Sequence, residues 1–88
     1  MSYALAVAGD ALADFRAIDV LLQERTWDEL ELLAADPSRL TFVSYGNIAI
    51  HEFVHSDDRI VARVAITLIR NDAARTLTVL GLAVETLP

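Results

Sequence analysis

The chain has 88 residues, 55% of them hydrophobic, no cysteine, and a formal charge of −6 from thirteen acids against seven bases. That length supports one hydrophobic core, and the composition excludes disordered, collagen-like and low-complexity sequence. The missing cysteines exclude a disulfide scaffold and a thiolate metal site.

All seven bases are arginine, and the charge is unevenly distributed. Up to Asp36 there are eight acids and two arginines; from Pro37 onward there are five of each. A non-specific nucleic-acid binder carries a basic surplus, so any anion site belongs in the second half. Tyr3 to Gly9 is apolar, but no base precedes it, which is unlike a secretory leader. The apolar stretches Val64–Ile69 and Leu77–Val84 fall short of the ~20 residues of a membrane helix. The expectation is a soluble cytoplasmic protein with no membrane association.

In chain order, residues 3–7 (Tyr-Ala-Leu-Ala-Val) form a short first strand ended by Gly9. Asp10 is then placed to cap a helix in which Leu12, Phe15 and Ile18 recur at helical spacing. A second helix carries the apolar stripe Val20, Leu21, Trp27, Leu30, Leu33 and Ala34, with Glu24, Asp28 and Glu31 on a solvated acidic face. Two caps compete for its start: Asp19, and Thr26 in a capping box with Glu29. Asp19 is preferred, because Val20–Ala35 is then a helix of ordinary length. Asp36 ends it, since a residue before proline avoids helical angles. Residues 38–46 form a loop closed at Gly46-Asn47. Three strand-like runs follow, Ile48–His55, Arg59–Arg70 and Arg75–Val84, with turns at Ser56–Asp58 and Asn71–Ala73. In the middle run Ile60, Ala62, Val64, Ile66 and Leu68 make one dry face and Arg59, Val61, Arg63, Ala65, Thr67 and Ile69 the other. The expected fold is α+β, in the order β-α-α-β-β-β, a single domain over residues 1–88 with two helices on one face of an antiparallel sheet.

Chemistry concentrates on the first hairpin. Arg59 and Arg63 share a strand face about 13 Å apart, and His51, Phe53 and His55 share a face of the preceding strand. A turn at Ser56–Asp58 would pair His55 near Arg59 and His51 near Arg63, so that one open face holds all of them. Arginine binds phosphate, imidazole transfers protons, and an aromatic ring stacks a base; a ribonuclease needs these three. The same arginines also serve simply to keep a solvated face soluble, and spacing alone leaves both readings open. His51 and His55 lie too far apart to share a metal ion, Glu52 points the other way, and no metal or cofactor is expected. The pairs Asp57-Asp58 and Asp28-Glu29 read as turn chemistry and helix surface. Trp27 reads as core or interface.

Several segments resemble the RelE/ParE superfamily of toxins from bacterial toxin–antitoxin pairs. Residues 10–16 (Asp-Ala-Leu-Ala-Asp-Phe-Arg) are similar to that family's first helix. Leu22-Gln-Glu-Arg25 through residues 32–37 (Leu-Leu-Ala-Ala-Asp-Pro) are similar to its second helix and exit. Residues 57–64 (Asp-Asp-Arg-Ile-Val-Ala-Arg-Val) resemble the turn and strand in which the family places an arginine, and residues 74–80 (Ala-Arg-Thr-Leu-Thr-Val-Leu) its last long strand. The resemblance implies a toxin-like component of a toxin–antitoxin module, either a ribosome-dependent mRNA endoribonuclease or a diverged inactive relative. The alternative is a non-catalytic interaction module or a gyrase-directed relative. Arg59 matches the phosphate-contacting arginine at the start of the central strand, and Arg63 lies further along it. His51 and His55 complete the candidate catalytic set from geometry, not from the resemblance.

This sequence departs from the family's nucleases in three respects. It is acidic, it has no lysine, and after Val84 it reads Glu-Thr-Leu-Pro, where they carry a Tyr or His. Tyr45 and His51 are the substitutes this chain offers for that residue. The implied partners are an antitoxin, the ribosome with its mRNA, and a second copy in a homodimer. Val61, Ile69 and Leu82 are the apolar positions expected to meet a protein partner.

Overall fold

The apolar period changes once along the chain, and the architecture changes with it. The computed structural model describes residues 2–42 and 47–88. Strand β1 (Ala4–Val7) leads into helices α1 (Gly9–Ala17) and α2 (Val20–Ala35), followed by a 3-10 turn (Pro37–Arg39). Then come β2 (Thr41–Phe42), β3 (Ile48–Ser56), β4 (Val61–Asn71) and β5 (Thr76–Thr86). The described strands form one sheet in the order β1-β5-β4-β3-β2. The expected antiparallel meander is present, and β1 joins its β5 edge in parallel, so the sheet is mixed. The two-residue β2 extends the opposite edge within the stretch expected to be loop. Residues 43–46, which hold Tyr45 and the start of the Gly46-Asn47 turn, lie outside the described residues.

The helix boundaries follow local chemistry. The Oδ1 of Asp19 accepts from the Leu21 amide at 3.0 Å, capping α2 as its sequence suggests. The Gln23 amide group donates to the Ile18 carbonyl at 2.9 Å and ties the corner between the helices. The Asp36 amide closes α2 on the Leu32 carbonyl just before Pro37. Asp10 does not cap α1: the helix starts two residues earlier than that cap implies, at Gly9, with Ala8 in the cap position and no side-chain bond there. Asp10 instead lies in the first turn, where its charge suits the positive end of the helix.

The buried stripe of α2 is also rotated from the expected one. It comprises Leu22, Thr26, Leu30, Leu33 and Ala34, while Val20, Leu21 and Trp27 are exposed. Spacings of three and four fit either set. The row that meets the sheet is the one that fills the space above β4 and β5. Ala11, Leu22, Leu30, Leu33, Val64, Ile66, Leu68, Leu77 and Val79 are each at most 1% exposed. Burying each of the larger side chains is worth about 1.5–3 kcal/mol. The dry face expected for β4 is thus the face under the helices, with Ile60 packed at its margin.

The hairpin turns depend on side-chain acceptors. Between β3 and β4, Oδ1 of Asp57 accepts the amides of Arg59 at 2.7 Å and Ile60 at 2.9 Å. Between β4 and β5, Oδ1 of Asn71 accepts the Ala74 amide, and Arg75 takes a left-handed φ of 54°. The β3–β4 turn spans residues 57–60, so Ser56 pairs with Val61 and His55 with Ala62.

Candidate functional site

The β3–β4 register decides the site. His51 lies opposite Ile66 and His55 opposite Ala62, whereas Arg63 lies opposite Val54. Side chains alternate along a strand, so His51, Phe53 and His55 share one face, as expected, but it is the face under the helices. Arg63 is on the other side of the sheet. The expected single open face carrying both arginines, both histidines and Phe53 does not form. His55 lies opposite Ala62, three residues beyond the expected Arg59, and a register shift by an odd number of residues reverses every side chain.

Under the helices, Nε2 of His51 is 2.9 Å from Oε1 of Glu29 on α2, and both side chains are mostly buried. Arg25 also bonds Glu29, and its guanidinium lies 4.8 Å from the Phe53 ring centre. Partial burial pushes the Glu29 pKa up, but the bonds from Arg25 and His51 outweigh it and hold the carboxyl below its ordinary value. Glu29 is therefore a carboxylate at neutral pH, and the His51 ring donates to it. The contact joins α2 to β3 as a structural clasp.

At the hairpin end His55 and the backbone amide of Arg59 meet on Asp57. Nε2 of His55 is 2.6 Å from Oδ2 of Asp57, with the imidazole 11% exposed. The His55 bond, followed by the amides of Arg59 and Ile60, lowers the Asp57 pKa to about 2. Asp57 is thus ionised at neutral pH and orients the His55 ring while holding the Arg59 backbone. The Arg59 guanidinium extends to Asp19, the residue that caps α2.

Carboxylates meet the arginines on both sides of the sheet. Arg59 is paired with Asp19, and the same turn holds Asp57 and Asp58. Arg63 is 3.7 Å from Glu85 and lines a shallow depression on the open face with Glu52, Ala65, Ala83, Val84 and Glu85. Arg25, Arg39 and Arg70 are likewise paired with Glu29, Asp36 and Asp72. Around Arg59 and Arg63 the acids outnumber the bases, so neither place concentrates positive charge for a phosphate.

Of the other expected contact positions, Val61 and Ile69 are half-buried on the open face, while Leu82 lies opposite Ile66 and packs against the core under the helices. Sequence reasoning missed Asp19 and Glu29 as partners of Arg59 and His51, because those pairings cross between distant elements; the Arg25–Glu29 pair, four residues apart on α2, carried a readable spacing signal. Asp57 was legible as a turn residue, but its bond to His55 depends on the register.

No protein-family model matches the sequence, and no curated protein does. Solved structures do match in shape. A double arginine-to-alanine mutant of the E. coli toxin RelE in the free state superposes with a TM-score of 0.74 and 13% identity. The match covers 94% of this chain and 83% of that one. The intact E. coli RelBE toxin–antitoxin complex gives a TM-score of 0.73 and 12% identity, covering 93% of this chain and 95% of that one. Identity this low speaks for the fold. The mixed sheet, the two helices on one of its faces and the order of the elements are those of a RelE/ParE-like α+β fold.

Proposed function

We propose that the protein is the toxin-fold member of a toxin–antitoxin-type pair and acts by binding a protein partner, without cleaving RNA. One observation carries this reading: the two arginines expected to hold phosphate are each met by carboxylates, and Arg63 lies on the opposite side of the sheet from His51 and His55. Arg59 is bonded to Asp19 and Arg63 to Glu85, while the histidines are bonded to Glu29 and Asp57. A fold shared with RelE, which is crystallised with its antitoxin in the RelBE complex, supports a protein partner. Induction of the chain in a bacterial culture should leave total mRNA without new 5′ ends. Co-expression with the product of the neighbouring reading frame should give a stable complex. New 5′ ends that vanish with Arg59→Ala would overturn the reading.

A second reading, ribonuclease action at the hairpin end, is favoured by one contact. The His55 ring is oriented by Asp57 as a general base would be, and Asp57 also holds the Arg59 backbone amide. On that reading the same culture shows new 5′ ends that disappear in both His55→Ala and Arg59→Ala.

A further inference from the structure

We propose that the groove between α1 and α2 is a docking site for a cationic, apolar segment of a partner protein. The inference deepens the partner-binding reading and rests on it. The groove encloses about 410 Å³ and is lined by Phe15, Gln23, Glu24, Trp27 and Asp28. Its floor is aromatic: the Phe15 and Trp27 rings meet edge to face, with centres 6.1 Å apart and planes at 71°. Trp27 is the only tryptophan in the chain and is 40% exposed.

Two further apolar side chains extend the patch. Val20 lies two turns before Trp27 on the same side of α2 and is 64% exposed. Leu12, one turn before Phe15 on α1, is 37% exposed. An apolar strip of this kind along two packed helices is what a partner segment covers.

Charge selects the occupant. Glu24 and Asp28 stand one turn apart on the rim, and like charges at that spacing repel. The first 36 residues carry eight acids against two arginines, and Arg25 is already bonded to Glu29 on the core side of α2. An arginine or lysine entering the groove would relieve the rim repulsion and lie against the aromatic floor. A nucleic acid would meet the same rim with like charge, and a second copy docked symmetrically would oppose two acidic rims.

The test uses a synthetic helical peptide of leucine and arginine, with arginines four residues apart, titrated while Trp27 emission is followed. The expected result is a saturable blue shift, absent with a peptide in which glutamate replaces arginine. The double variant Glu24→Gln/Asp28→Asn should weaken binding about tenfold, the loss of two exposed charge pairs. Both residues are exposed, so the variant keeps its fold, as its circular dichroism would verify. The control Glu52→Gln/Asp58→Asn makes an equal charge change away from the groove and should leave affinity unchanged. Absence of a shift, or equal weakening by the two double variants, overturns the groove assignment. The titration is then repeated with the product of the neighbouring reading frame. A complex that leaves Trp27 emission unchanged overturns the groove while partner binding stands. Failure of any complex to form overturns partner binding, and the groove proposal that rests on it.

Discussion

Asp57 is a small residue with three bonds to satisfy. It accepts from His55 and from the amides of Arg59 and Ile60, and its pKa falls from 3.8 to about 2. A depressed carboxylate pKa means that the folded state binds the proton less readily than the unfolded chain. The stability it contributes is complete above about pH 4 and is lost as pH falls through about 2. Melting temperature measured against pH should drop across that window, and Asp57→Ala should melt lower at neutral pH with a shallower acid limb. Thr26 gives the opposite sign. It is fully buried in the middle of α2, and its hydroxyl has no hydrogen-bond partner among the described residues. Thr26→Val keeps the shape and removes the unpaired hydroxyl, so it should stabilise the protein by about 1 kcal/mol, read as a Tm several degrees higher.

Helix α2 holds the two layers together through one face. Leu30 and Leu33 are almost fully buried, while their neighbour Leu32 is 49% exposed. Leu30→Ala should cost about 2–5 kcal/mol in denaturant unfolding, and Leu32→Ala less than about 0.5 kcal/mol. The Glu29 clasp works between elements in the same way. Removing that carboxylate leaves Arg25 and His51 without their partner. Glu29→Ala should cost about 1–3 kcal/mol by the same measurement.

For the whole molecule, the arrangement of charge decides what it can bind. A chain of −6 in which Arg25, Arg39, Arg59, Arg63 and Arg70 pair with its own carboxylates offers little counterion-release gain to RNA. Filter binding with single-stranded RNA at physiological salt should therefore give no retained complex, and retention that weakens steeply with salt would contradict this. The sheet is covered by helices on one face. Ile48 and Val54 are 40% and 53% exposed on the other; Val54 lies opposite Arg63 of the Arg63–Glu85 pair, and Ile48 at the far end of β3.

The order of elements was legible from the residues because it rests on local chemistry. Periodicity, the Asp19 cap, the Asp36-Pro37 stop and the two hairpin turns each act within a few positions. The resemblance read from residues 10–16, 22–37, 57–64 and 74–80 led to the same fold as the superposition on RelE. Where the chain was ambiguous, the outcome depended on distant contacts. The α2 stripe had two sets of positions at helical spacing, and packing on β4 and β5 chose the one with Leu22 and Thr26. β1 carries no sign of its parallel pairing with β5, since that partner lies some seventy residues on. The candidate site was least legible. A register shift by an odd number of residues reverses every side chain of a strand, so His51 and His55 turned inward to Glu29 and Asp57 while Arg63 stayed outside. Composition and local pattern determine which elements form; which carboxylate meets which arginine is set only when the sheet closes and the helices dock on it.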